Sequence, residues 1–516
     1  MRAKPSLERT AHSLERTGET VVTTVISLRR RLDIQMLRWQ ARLDSRVGDR
    51  AIPWLTALAL AVVLSLLALA RHRDLGIGSD LGHYLQAAHL MDRGFDPMVT
   101  DLGHNLFADQ ASWIFWPIAL VLRVLPAAGT LLVLQSVALS LAVVPLWRIA
   151  RGPANLRIGA AAALMVAYAL HPSVHDLNLA GFHPEALAIP ALMAAYLVAR
   201  SDHWWWLVVL AVVVVSTRSD LGLAVVALGL VLVSEDNRNR GWPLATFGLA
   251  WFLIMSFVIQ PLLGDGAYPH LGAFAHFGDG AAGILFGMLS DPAGLLGDLF
   301  ARDGFDKVLL LLAPTLFLPL VRPRYLLPIV PLVVLYLVAD VIDTGYGNPQ
   351  QDVAALAFVF IAATYALMRI GTQGVSRIHV DRRVLMVLVL TATVFFVRDA
   401  ASSPYEEPWD WGRRTSTDVA RVSTSVLVGD DARIMVSPEV YPLVADRHDA
   451  YVLRPNRGFL PGLDWAERID AVVVDVESLG WIAPEVRQFE SRLISMDYRK
   501  RFDSEGVRLW VRRPRA

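Results

Sequence analysis

Three polar groups interrupt an otherwise apolar chain, and each carries residue types that can do chemistry. The first is GSDLGHYLQAAHLMDRGF (78–95), which follows a long apolar run. A carboxylate such as Asp80, set where a membrane-bound substrate would meet water, can take the proton of a hydroxyl as a general base. Asp is also a favoured helix N-cap, and Leu81, Tyr84, Leu85, Ala88 and Met91 recur behind it at helical spacing. Capping therefore explains Asp80 as well as catalysis does. His83, next to it in this segment, is counted with the substrate-binding candidates. The second group is HPSVHDLNLAGFHPE (171–185). His171 and His175 at i,i+4 could hold a divalent metal, but Pro172 interrupts the helix that would align them, and satisfied histidines at an interfacial turn fit better. Within this group His183 suits an anionic headgroup better than a metal. The third is STRSD (216–220), between two apolar runs of about 14 residues that cover only ~21 Å each. Arg218 and Asp220 are thus expected at some depth, where ionisable groups are costly and default to function; Arg218 is suited to bind a phosphate. The alternative is a self-neutralising Arg–Asp pair.

The elements that position these groups follow from composition. Of 516 residues 54% are hydrophobic and only 19% charged, and the mean hydropathy is +0.44. Such a chain cannot cover a water-facing surface. Lys+Arg and Asp+Glu both number 48, so net charge points to no partner and argues against nucleic acid; zero Cys excludes disulfides and thiolate chemistry. The reading is a multi-spanning α-helical membrane protein.

A hydrocarbon core ~30 Å thick needs about 20 apolar helical residues. Spans are expected at 53–71, 127–147, 157–174, 185–199, 204–217, 221–234, 242–263, 307–321, 325–339, 353–370 and 384–397. With the N-terminus inside, these eleven crossings put Arg148/Arg151/Arg157, Arg200, Arg238/Arg240, Arg322/Arg324 and Arg377/Arg382/Arg383 on the cytoplasmic side, as the positive-inside rule requires. Residues 113–125 would reverse that order if they crossed, so they read as an interfacial or re-entrant helix broken at Pro117. Outer loops then cover 72–126, 264–306 (long and glycine-rich) and 340–352.

Three domains result. Residues 1–52 hold eleven Lys/Arg against six Asp/Glu, too long a charged region for a signal peptide. Leu28, Leu32, Met36, Trp39, Leu43 and Val47 make part of it an amphipathic helix suited to anionic lipid on the cytoplasmic side. Residues 53–398 form the transmembrane domain. Residues 399–516, with twenty acids against seventeen Lys/Arg, carry short β-rich stretches at 432–437, 449–453, 470–476 and 507–512 and a helix at 484–496. This reads as a small extracytoplasmic α/β domain, without the glycine-rich loop of a nucleotide site.

The succession SDLGHYLQAAHLMDRG (79–94), LLVLQSVALSLAVVPLWRIAR (131–151), GFHPEALAIPALMAAYL (181–197), the Arg-Ser-Asp hinge before Leu-Gly, and LFLPLVRPRYLLPIVPL (316–332) resembles the bacterial membrane family known as domain of unknown function 2079. The VVVD strand (472–475) fits that family's tail. The family is similar in turn to the GT-C glycosyltransferases, which take a sugar from a polyprenyl-phosphate donor outside the cytoplasmic membrane. The resemblance implies a GT-C-like fold and an essential acid in the first outer loop, falling on Asp80 with Asp109 second. It also implies substrate-binding roles for His183 and Glu185 of the Phe-His-Pro-Glu segment, and for Arg218 and Asp220 of the hinge. Where the family has Asp-His-Phe-Ser-Pro this chain has Asp109-Gln110-Ala111-Ser112-Trp113, and Ser219 alters the hinge. The activity implied is inverting transfer from a polyprenyl-phosphate-sugar donor to an envelope glycan, lipid or protein acceptor. No cofactor is demanded, and a divalent metal could assist. The rival expectations are a lipid or lipid-linked-sugar flippase and a non-catalytic subunit of an envelope assembly.

Overall fold

A computed structural model of the chain describes residues 45–512, apart from 265, 267, 302–303, 340–350, 375–376, 406–410 and 454–468. Most of the basic amphipathic segment and of the 340–352 loop lies outside these residues. Among the described residues five helices are long and apolar enough to cross a membrane: Arg46–Arg73, Ala127–Arg151, Ile158–Ala180, Arg238–Leu263 and Asp352–Ile370. Shorter apolar helices run over Pro184–Val198, Trp204–Thr217, Leu221–Ser234 and Pro323–Val338, and Arg382–Asp399 forms a further helix. Their core is built from Ala, Leu, Val and Ile, with Asp352–Ile370 buried along nearly all its length.

Two expectations change. Residues 307–321 do not form one helix: Gly304–Leu312 is followed by single 3-10 turns at Ala313–Thr315 and Leu318–Val321, with Leu316 and Phe317 left-handed. Pro314 and Pro319 explain this, since each lacks the amide hydrogen and clashes with the preceding turn. The glycine-rich 264–306 segment is largely helical, and Gly280–Ser290 and Pro292–Leu299 meet at 92°, as in a broken or re-entrant span. Phe115–Leu122 is a helix of 8 residues, too short to cross, with Pro117 inside its first turn, where a missing amide is tolerated.

Two hinge-forming helices are placed by close packing. A side chain at Gly222 would sit 2.6 Å from the Gly248 carbonyl, so helix Leu221–Ser234 lies directly on helix Arg238–Ile254, the small-residue packing used where lipid offers no hydrophobic drive. The latter helix widens into a π-turn at Met255–Ile259.

Residues beyond 411 form a five-stranded sheet in the order Ala450–Val452, Ile434–Val436, Ala471–Asp475, Val507–Arg512, Tyr498–Ser504. The first three strands are parallel and the last two antiparallel to their neighbours. Helix Ala483–Ser495 follows the β-α pattern expected, while helix Ser416–Leu427 and strand Tyr498–Ser504 add to it. This domain docks on the segment that follows helix Arg46–Arg73. Gln86 Nε2 donates to the His448 carbonyl (2.9 Å), Tyr441 Oη to Gln86 Oε1 (3.1 Å), and the Ala450 amide to Thr100 Oγ1 (3.0 Å). A side chain at Gly82 would collide with the Tyr441 ring, so only glycine permits this contact.

Candidate functional site

Helix Asp80–Asp92 starts just after the first span, and Asp80 is its first residue, beyond Ser79. No side-chain capping bond forms there. Among the described residues the Asp80 carboxylate, 46% exposed, meets only His83 Nδ1 and His183 Nε2, each at 3.8 Å. An acid with open lone pairs and two imidazoles at its sides is free to take a proton.

His83 and His183 are held from behind. His83 Nε2 donates to Asp101 Oδ2 at 2.8 Å, and its ring lies 5.6 Å from that of Tyr441. Burial works against a proton on His83. The hydrogen bond to Asp101 and the charges of Asp80, Asp101 and Asp109 outweigh burial and hold the imidazole above its ordinary pKa. The His183 amide donates to Gln135 Oε1 (2.6 Å), while Gln135 Nε2 donates to the carbonyls of Leu177 and Gly181 (2.6 and 2.7 Å). One glutamine of the second span thus shapes the turn that offers His183, whose Nε2 is buried without a hydrogen-bond partner.

Two residues further on, Glu185 enters a different setting. Arg218 donates from Nη1 to Glu185 Oε1 (3.0 Å), from Nε to Asp220 Oδ1 (2.6 Å) and from Nη2 to Tyr336 Oη (2.5 Å), and Tyr336 Oη donates to Asp220 Oδ2 (2.7 Å). Arg218 is buried and Glu185 completely so. One guanidinium faces two carboxylates, so the cluster presents an incoming phosphate with no net positive charge. The second Glu185 oxygen, Oε2, has no partner.

Asp109 forms a third centre. His104 Nε2 donates to its Oδ1 at 3.3 Å, and His270 Nε2 lies 3.7 Å from that oxygen and 3.0 Å from the backbone carbonyl. Burial alone would raise this carboxyl. The His104 hydrogen bond and the charges of His270, His104 and His83 outweigh burial and hold it below the ordinary value. Beside it opens a cavity of about 520 Å³ lined by His104, Gly264, Tyr268, Leu271, Asp279 and Ile284, among others. The loop is stitched to the hinge: Ser219 N donates to Gln110 O (3.0 Å), Ser112 Oγ to Thr217 O (2.8 Å), and Ile114 N to Ser216 O (2.9 Å).

The structure therefore brings Asp80, His83 and His183 together, and gathers Glu185, Arg218 and Asp220 into a second cluster, in which Glu185 follows His183 by two residues along the chain. Asp109 stands at a separate point, one loop segment away. His171 and His175 turn away from one another's metal-binding geometry: His171 Nε2 meets Leu311 O (3.2 Å), while His175 meets Ala169 O (2.8 Å) and Ser402 Oγ (2.7 Å). Among the described residues no three His, Asp or Glu side chains form a cation cage. Sequence reading missed Asp101, His104, Gln135, Gln260 and His270. Gln135, a lone amide inside an apolar run, was the one local signal, since such a residue must find partners.

The structure resembles ArnT from Cupriavidus metallidurans, solved bound to undecaprenyl phosphate. The TM-score is 0.51 at 11% identity, covering 89% of this chain and 99% of that one. The shared fold is the GT-C type. No curated protein matches the chain in sequence. The family described as predicted membrane protein (DUF2079) matches residues 71–503, which reaches into the C-terminal sheet but stops before its strand Val507–Arg512, and the chain belongs to that family.

Proposed function

We infer that the chain is an inverting glycosyltransferase that uses a polyprenyl-phosphate-linked sugar at the outer face of the cytoplasmic membrane. The observation that carries this reading is the Asp80 carboxylate: half exposed, without a hydrogen bond, flanked by two imidazoles, at the end of the first span of a GT-C-like fold. In the reaction Asp80 takes the acceptor's hydroxyl proton as that oxygen bonds to the anomeric carbon. The bond from that carbon to the phosphate oxygen breaks, and its electron pair leaves with the polyprenyl phosphate. His183 and His83, the latter with its pKa held above the ordinary imidazole value by its acidic neighbours, stabilise the departing phosphate. Arg218 fixes Glu185 and Asp220, a positioning part that suits its two carboxylate partners better than direct phosphate binding. Asp109 sits behind His104, which lines the cavity from which a second substrate approaches.

The reading includes eleven crossings with the C-terminal sheet outside. Helices fill all but one of the expected spans, the Arg clusters favour this orientation, and the sheet docks on the loop that carries Asp80. Because the chain has no Cys, one cysteine introduced at Ser416 reports the side directly; it should react with an impermeant maleimide on intact cells. For the chemistry, the protein in nanodiscs is given undecaprenyl-phosphate-linked sugars and envelope acceptors. Transfer that disappears in Asp80→Asn is expected. Lipid scrambling without transfer would move the assignment to a flippase.

A further inference from the structure

The segment after helix Asp80–Asp92 folds as a short hairpin, Met98–Val99 against His104–Asn105, closed by a turn over 100–103. The turn carries Asp101, which accepts from His83 Nε2 at 2.8 Å. The returning strand carries His104, which donates to Asp109. These two ends are held from different directions. On the Asp109 side, Gln260 Nε2 donates to the carbonyls of Ala108 (3.0 Å) and Asp109 (2.7 Å), and Ser219 N donates to Gln110 O (3.0 Å). Both donors belong to the transmembrane domain. On the Asp101 side the hold comes from the C-terminal sheet.

Thr100, next to Asp101, donates its hydroxyl to the Ala450 carbonyl and accepts from the Ala450 amide (3.0 Å) and from Gln86 Nε2 (2.9 Å). Ala450 opens the edge strand of the sheet. Gln86 is completely buried on the helix that begins at Asp80. Its Oε1 accepts from the Thr100 amide (3.2 Å) and from Tyr441 Oη (3.1 Å), and its Nε2 also reaches the His448 carbonyl (2.9 Å). Tyr441, buried as well, lays its ring 5.6 Å from that of His83 and fills the space beside Gly82. A buried amide with both donors and both acceptor sites engaged holds one geometry, because moving either domain would leave a polar group unpaired. His83 is therefore gripped on two sides by parts that the sheet fixes: Asp101 through Thr100, and the Tyr441 ring directly.

We propose that Tyr441 and Thr100 are positioning residues for sugar transfer, through which the C-terminal sheet sets His83 and Asp101 beside the Asp80 carboxylate. The transmembrane helices alone leave that site incomplete. This rests on the transferase reading and adds to it a task for the second domain. The test uses the full-length protein in nanodiscs with isotope-labelled histidine, the His83 signal being assigned by its loss in His83→Gln. It follows the His83 titration midpoint by NMR, beside transfer from undecaprenyl-phosphate-linked sugars. The charges that act on His83 are those of Asp80, Asp101 and Asp109. Thr100→Val keeps the shape and removes the hydroxyl, which frees Asp101 from the sheet. The midpoint should fall by about 1 pH unit, and kcat by about tenfold with KM for the carrier kept within about twofold. Thr100→Ser should restore both. Asp101→Asn alone should lower the midpoint as far, and adding Thr100→Val should lower it no further, which a general loosening of the fold would not produce. Tyr441→Phe keeps the ring and loses the bond to Gln86; it should give a smaller fall, and it is the deciding variant if Thr100→Val does not fold. A midpoint and a kcat matching wild type in both variants overturn the proposal. Absence of transfer from every carrier in folded wild type sinks the transferase reading, while the His83 midpoint still decides whether the sheet places the imidazole.

Discussion

Asp80 and Asp220 are both acids at helix N-termini, yet their surroundings are opposite. Asp220 accepts from Arg218 and Tyr336, and both its oxygens are engaged. Asp80 accepts from nothing among the described residues, and the nearest imidazole nitrogens, of His83 and His183, stand at 3.8 Å. The first arrangement spends a carboxylate on neutralising a buried cation; the second leaves one able to take a proton. A position near the membrane surface is therefore poor evidence of a catalytic role until the partners are known.

Substitutions at the two sites should separate these roles. Arg218→Ala should have the largest effect on stability, about 3–5 kcal/mol, because it leaves Glu185 and Asp220 buried and unpaired. Thermal unfolding in detergent measures it, and a loss below about 1 kcal/mol would show that water reaches the cluster. Asp80→Asn should do the reverse. Transfer falls about 10²–10⁴-fold while stability changes by less than about 0.5 kcal/mol; a variant that unfolds instead would make Asp80 structural.

Gly82→Ala sharpens the contrast from a third side. The new methyl meets the Tyr441 ring, so the C-terminal domain must shift, at about 1–3 kcal/mol. Hydrogen exchange should rise in Tyr441–Val444 and around Thr100 and Ala450, with the Arg218 cluster unaffected. The smallest expected effect is on pH dependence. The folded pKa of His83 is raised above 6.5, so its contribution to stability is fully present below pH 6.5 and is lost as pH rises through the raised value. His83→Gln should flatten that part of the stability curve, and an unchanged slope would remove His83 from the acid–imidazole set.

Much of this was open to reading in one dimension. Apolar length placed most helices, and the β-branched run Val472–Val474 marked the central strand. The change from membrane to water after the first span singled out Asp80. The failures have physical causes. Hydropathy sums ignore proline geometry, so 307–321 looked continuous. Glycine frequency suggested a loop at 264–306, whereas the segment folds as bent helices. The hinge residues were visible as ionisable groups in an apolar setting, but Glu185, 33 residues away from Arg218, was not visible as the partner that occupies it.

Local composition by itself determined that this chain lives in a membrane and where most of its helices and strands lie, because solvent transfer and backbone periodicity act over neighbouring residues. Tertiary structure decided which charges are engaged and which are open. Asp101 reaches His83 across 18 residues, Gln135 reaches the His183 amide across 48, and Tyr441 reaches Gln86 across 355. Protonation and hydrogen bonding depend on atoms a few ångströms apart in space, and no spacing along the chain encodes that distance.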